Sequence, residues 1–174
     1  MKLNNVDMAA VAALAERAKQ DPAVLRMEKR VEGTWSSSTG TPQFSATVSH
    51  GSTQTVLRAD MALPFGGGAL APDPLQYLLF GLAACYSATL VMLASMEGVS
   101  LEGLKATAEN SVDSGRVFGF GDRPLVSRVA VRVTVSTAVD DATLARWAQA
   151  AREKCPFAFT VANAVPLETR VERA

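Results

Sequence analysis

The chain of 174 residues has little of several things that usually announce a function. It has one histidine, His50, and two cysteines, Cys85 and Cys155, which is no ligand set for a structural zinc site and too few thiols for a disulfide scaffold. Neither charge is in surplus, since 17 Lys and Arg balance 17 Asp and Glu. Phosphate binding depends on a clustered excess of basic residues; no basic block occurs, so nucleic acid is excluded as the main partner. The one glycine run, Gly66 to Gly68, lacks the Gly-Lys-Ser/Thr ending of a phosphate loop, and no dinucleotide-binding spacing is present. Internal repeats and low-complexity tracts are absent as well.

What the chain does have is 48% hydrophobic residues and one long stretch without charge. A protein of this length buries roughly two thirds of its unfolded surface, enough for one sizeable core. Over residues 61–96 the sole charged side chain is Asp73, and from Leu75 to Met96 there is none. That run meets the length criterion for a membrane span. Against a span stand Gln76, Tyr77, Gly81, Cys85, Ser87, Thr89 and Ser95 within it, and the lack of Lys or Arg close to either end of its charge-free part. Its place well inside the chain excludes a signal peptide. We read it as a fully buried helix of a soluble protein with no membrane association, and, with no targeting segment visible, the expected location is the cytoplasm.

Hydrophobic spacing organises the remainder. Val6, Ala9, Ala10, Ala13, Leu14 and Ala18 predict an amphipathic first helix with Asp7 in its first turn and Asp21-Pro22 at its end. Its mostly alanine face buries little area and suits a packing appendage or a subunit contact. Alternation predicts strands through Val31, Gly33 and Trp35 and through Phe44, Ala46 and Val48, joined as a hairpin by SSSTGTP at 36–42, with another strand over 53–61. LPFGGGALAPDP at 63–74 is a loop leading into the long helix. Period two then returns in Leu104, Ala106, Ala108, Asn110 and Val112, and in Leu125, Val129, Val131, Val133 and Val135, with the glycine-rich hairpin loop 113–124 between. Asp140 or Asp141 caps a helix through Leu144, Trp147, Ala148 and Ala151 to about Lys154; a short helix follows from Pro156 to Ala162. A last strand is predicted by Val165, Leu167, Thr169 and Val171. The order of elements is α+β. Trp35 and Trp147 are expected as core anchors, His50 as an exposed turn residue, and Phe118 and Phe120 as a cap on the sheet.

The cysteines fall in different settings. Cys85 lies mid-helix, with Leu78, Gly81, Leu82, Ala88, Thr89 and Met92 on its face; the small residues let another element approach the sulfur. Cys155 precedes Pro156, a good first helical residue, and so sits near free N–H groups that favour a thiolate, with Lys154 beside it. Spacing alone leaves both as ordinary buried thiols or as a working pair.

The stretch DPLQYLLFGLAACYSATL, followed about 70 residues after Cys85 by REKCPFAF, resembles the OsmC/Ohr family of osmotically inducible and organic hydroperoxide resistance proteins. The likeness covers roughly residues 27–172, including VPLETRV as a terminal strand. It implies an OsmC-like domain over 25–174 with an N-terminal helical extension over 1–24. It further implies an intertwined homodimer in which antiparallel sheets wrap long buried central helices and the active sites lie at the subunit interface. In the family's peroxidases the helix cysteine attacks the peroxide and becomes a sulfenic acid, and the Cys-Pro cysteine condenses with it to a disulfide that a dithiol, often a lipoylated protein, reopens. By position Cys85 would be peroxidatic and Cys155 resolving, with no metal or bound cofactor.

Two family positions differ. The glutamate that follows the loop proline, ten residues before the reactive cysteine, is here Leu75, and the turn that carries the family arginine reads SSSTGTP. Arg58, Arg116 and Arg123 are the candidate cations for the Cys85 thiolate, since a buried thiol without a positive partner has a raised pKa. Two functions follow as expectations. One is a reductase of organic hydroperoxides with an apolar pocket from Leu78, Leu82, Met92 and Phe157, joined by Phe80 and Phe159. The other is a non-peroxidatic OsmC-like protein that binds a small apolar ligand or performs other thiol chemistry.

Overall fold

The structure, a computed structural model, describes residues 2–173. Its contacts divide it into two compact units, residues 9–80 and residues 2–8 with 81–173.

In the first unit, α1 (Met8–Gln20) leaves no residue buried, as an alanine face would. A three-stranded antiparallel sheet follows, built from β3 (Gly33–Trp35), β4 (Phe44–His50) and β5 (Thr53–Ala59) in that order. Gly33 is required where it stands, because a Cβ there would lie 2.6 Å from the Ser45 carbonyl oxygen across the ladder. Trp35, expected in the core, is 58% exposed, since β3 is three residues long and nothing in this unit covers its outer side chains. His50 closes β4 as an exposed residue bonded to Thr53 and Thr55. The glycine-rich loop is fastened by buried Asp60, whose Oδ2 accepts from Gly68 N–H at 2.9 Å and Leu70 N–H at 3.0 Å. Gly67 runs so close to the Met61 carbonyl that any side chain there would collide with it. Asp73 then caps α2 (Pro74–Met96) by accepting from Leu75 and Gln76 N–H.

The second unit opens with β1 (Lys2–Leu3) and β2 (Val6–Asp7), a hairpin turned by Asn4 and Asn5 at φ 52° and 62°. Val6 and Asp7 are therefore strand residues, and the first helix begins later than its spacing predicts; two asparagines tolerate the left-handed turn that intervenes. The Asn4 side chain donates to Ser95 Oγ (2.9 Å) and the Val99 carbonyl (2.8 Å) and accepts from Leu101 N–H (2.8 Å), fixing the exit from α2. β6 (Gly103–Val112) and β7 (Val126–Ser136) pair antiparallel from Gly103↔Ser136 to Val112↔Val126, with a register shift at Ser111/Val112. Leu104, Val133 and Val135 pack on a buried cluster of Leu90 and Ala94 from α2 and Trp147 and Ala151 from α3 (Asp141–Lys154). Asp140 caps α3, accepting from Thr143 N–H, and α4 (Pro156–Ala162) follows at once.

Three further expectations change. α2 has the length and mean hydropathy (1.9) of a span, yet within one chain only Leu82, Leu90, Ala94 and Ser95 are buried, because no second layer covers its other faces. Phe118 and Phe120 do not cap the sheet; they are exposed and stack on one another with centroids 6.3 Å apart. Residues 163–173 form no strand. An alternating segment becomes a strand only when another edge accepts its hydrogen bonds, and Leu167 and Val171 stand exposed at 85% and 99%.

Candidate functional site

The α3–α4 junction supplies one sulfur. Cys155 ends α3 by donating its N–H to the Ala151 carbonyl (2.9 Å) and opens α4, its Sγ accepting from Ala158 N–H (3.4 Å); Pro156, with no N–H to satisfy, takes the first helical position. The side chain is completely buried. Cys85 comes from the middle of α2 and is half-buried. The two sulfurs lie 3.4 Å apart, with no bond between them. Gly81, one turn before Cys85, makes this approach feasible: a Cβ there would sit 2.9 Å from the Phe157 ring, so the residue that follows Cys155-Pro156 packs directly on the helix backbone.

The electrostatics separate the two thiols. Burial pushes the Cys85 thiol above its usual value; the Phe157 backbone N–H pulls it partly back, and the neighbouring Cys155 pushes it up again. No cation is among these influences for the described residues. Tyr86, the next residue, donates its hydroxyl to the Ala148 carbonyl at 2.9 Å, which ties α2 to α3 beside the sulfurs. Burial and the Cys155 charge raise the tyrosine's pKa, and Arg152 lowers it.

An open groove of about 940 Å³ lies among neighbours of the pair, but neither cysteine lines it. Its lining comes from Leu82 and Tyr86 of α2, Ala158 of α4, Val126 to Val131 of β7, and Gln149 and Arg152 of α3. Of the four residues expected to line a pocket, Leu82 does so, whereas Leu78, Met92 and Phe157 do not line this groove. Phe157 acts instead through its ring on Gly81 and its N–H toward Cys85. Among the candidate cations, Arg123 pairs with Asp113 at 2.9 Å, Arg116 lies in a short 3-10 turn (Gly115–Phe118), and Arg58 lies on β5 opposite Ser45. Tyr86 and Arg152 escaped the sequence reading. The available signal was their spacing, one residue after Cys85 and three before Cys155, so that each shares a helix with its cysteine. Among the described residues no group of three or more His, Cys, Asp or Glu side chains could hold a metal.

A mixed helix and sheet fold that brings two free thiols from separate helices within 3.4 Å defines a dithiol protein. The OsmC-like protein family matches residues 66–170, from the glycine-rich loop to the terminal segment, and the chain belongs to that family. Solved structures agree on the fold. The OsmC-like protein of Mycoplasma pneumoniae superposes with a TM-score of 0.57 at 21% identity, covering 79% of this chain and 91% of that one. An organic hydroperoxide resistance protein from Legionella pneumophila gives 0.56 at 19%, covering 78% and 91%. One from Elizabethkingia anophelis gives 0.54 at 14%, covering 80% and 93%. No curated protein matches the chain.

Proposed function

We propose that the chain is a cysteine-based, dithiol-dependent reductase of organic hydroperoxides, and the observation that carries this is the 3.4 Å contact between a half-buried and a fully buried thiol. Cys85, the accessible sulfur, attacks as the thiolate; the O–O bond breaks, the alcohol leaves with one proton, and Cys85 becomes a sulfenic acid. Cys155 then attacks that sulfur, water leaves, and a disulfide forms with little movement of either helix. An external dithiol, for which a lipoylated protein is the candidate, reduces it by exchange and is itself oxidised. Membership of the OsmC-like family and the hydroperoxide resistance role named for the Legionella relative support this direction.

The same reading takes the working form as a cytoplasmic homodimer in which the central helices are mutually enclosed. Leu75, Leu78 and Phe80 are exposed along α2, and the alternating terminal segment has no edge to join, so a second copy would satisfy both. Sedimentation analysis tests this, and a monomer at micromolar concentration would refute it.

A second reading has an observation of its own. Burial raises the Cys85 thiol and Leu75 stands exposed where the family has its glutamate, which favours a non-peroxidatic protein that uses the dithiol with other oxidants or binds a small apolar ligand. One experiment separates the two. Reduced protein receives one equivalent of an alkyl hydroperoxide, and its disulfides are mapped by mass spectrometry beside Cys85→Ser. Stoichiometric peroxide loss with a Cys85–Cys155 bond supports the peroxidase; thiols still reduced after minutes rule it out, and a disulfide formed by a general oxidant alone supports the second reading.

A further inference from the structure

The first turn of α4 is fastened to both thiols. Ala158 N–H donates to Cys155 Sγ at 3.4 Å, the Phe157 N–H bears on Cys85, and the Phe157 ring lies against α2 at Gly81. Cys155 has little freedom of its own: it is completely buried, and its N–H is held by the Ala151 carbonyl at 2.9 Å. The contact at Gly81 is already filled, since a Cβ there would come within 2.9 Å of Phe157 Cε2 and 3.2 Å of Cζ. The sulfurs, 3.4 Å apart, must still close to about 2 Å to bond.

We propose that Gly81 and Phe157 are positioning residues that set how readily Cys85 and Cys155 join. The bare backbone at Gly81 is the seat on which the Phe157 ring brings the first turn of α4, and Cys155 with it, into bonding reach of Cys85. The proposal rests on the dithiol working as a pair and does not need the protein to consume peroxide. Neither side chain takes part in the chemistry. A methyl group at residue 81 pushes the ring and the turn behind it away from α2, while helix formation does not suffer, because alanine is the better helix former. Removing the ring therefore acts with opposite signs in two backgrounds: opposite Gly81 it loses the seat, and opposite an alanine it restores room.

The test measures the effective concentration of Cys85 toward Cys155 in full-length protein equilibrated with glutathione buffers of graded composition. The disulfide fraction is read by thiol alkylation and mass spectrometry. In that equilibrium the two thiols give two electrons and two protons to glutathione disulfide, which becomes two glutathione thiols. Gly81→Ala should lower the effective concentration roughly tenfold or more, the scale on which a methyl forced into a filled contact acts. Phe157→Ala alone should lower it less, and Phe157→Ala added to Gly81→Ala should raise it again, a sign reversal that general loosening of the fold would not produce. Should Gly81→Ala fail to fold by circular dichroism, Phe157→Trp, which enlarges the ring against an unchanged Gly81, carries the same expectation of a lowered value. No Cys85–Cys155 bond in the wild type at any buffer composition, a value unchanged by the added bulk, or a loss in Gly81→Ala that Phe157→Ala does not recover, overturns the proposal. With an alkyl hydroperoxide, Gly81→Ala should also show more dimedone adduct at Cys85 and less disulfide, because its sulfenic acid waits longer for Cys155. No hydroperoxide consumption by any variant, with the sign reversal intact in glutathione, refutes the peroxidase reading and leaves the positioning role standing.

Discussion

Residues 81–173 bury Leu82, Leu90, Ala94, Ser95, Trp147, Ala151 and Cys155, whereas residues 9–80 bury only Ala46 and Asp60. The first set encloses one face of a two-stranded ladder with two helices. The second leaves both faces of a three-stranded sheet largely open, with Trp35, Phe44 and Val56 exposed. The difference shows where a single chain closes a core of its own and where it leaves apolar side chains uncovered. The dithiol lies in the part with the closed core: Cys85 of α2 and Cys155 at the α3–α4 junction both fall within residues 81–173, where α2 and α3 pack on the buried cluster.

Substitutions that remove the anchor of each region put this contrast under the strongest test. Trp147→Ala empties the centre of the closed cluster and should lower unfolding free energy by about 3–5 kcal/mol in urea titration. Trp35→Ala should cost far less in a monomer; a comparable loss that depends on protein concentration would show that a second copy covers β3. Asp60→Ala comes next. It strands two backbone N–H groups in the loop before α2, an expected loss of about 2–3 kcal/mol in the same titration, and Asp60→Asn should recover part of it.

Smaller effects concern the thiols and the surface. Because burial raises the Cys85 pKa, little thiolate exists at neutral pH, and its alkylation rate should climb about tenfold per pH unit through and beyond the ordinary thiol range. Peptide mapping after iodoacetamide should find Cys85 modified well before the buried Cys155; a rate that levels off near pH 7 would contradict the raised value. The smallest effect is expected for Glu97→Gln. Arg146 binds both Glu97 oxygens, at 2.5 and 2.8 Å, and holds that carboxyl down to about 2. A depressed carboxylate stabilises above its unfolded pKa and loses that contribution as pH falls through the folded one. The gap in melting temperature between wild type and Glu97→Gln should therefore be constant above pH 5 and close toward pH 2, and it should be slight throughout for so exposed a pair.

Much of this architecture was legible in the order of residues. β6, β7, α3 and α4 appear where period and capping put them, since Asp140, Pro156 and the alternating valines act locally. The failures share a cause. Val6 and Asp7 carry helical spacing, but the Asn4–Asn5 turn returns the chain on itself first. Val165, Leu167 and Val171 carry strand spacing, but pairing is a property of two segments, and no second one is at hand. Trp35 carries the composition of a core residue without a surface to bury it.

At the site the division is similar. Sequence by itself determined that two thiols exist, that one lies on an uncharged helix with a glycine a turn away, and that the other opens a proline-started helix; each follows from neighbours within a few positions. Only the tertiary structure decided that these sulfurs meet and that the Phe157 ring occupies the space left by Gly81. Such facts depend on how α2, α3 and α4 pack. Packing is fixed by the sum of many weak contacts across the chain, and no short stretch of residues encodes that sum.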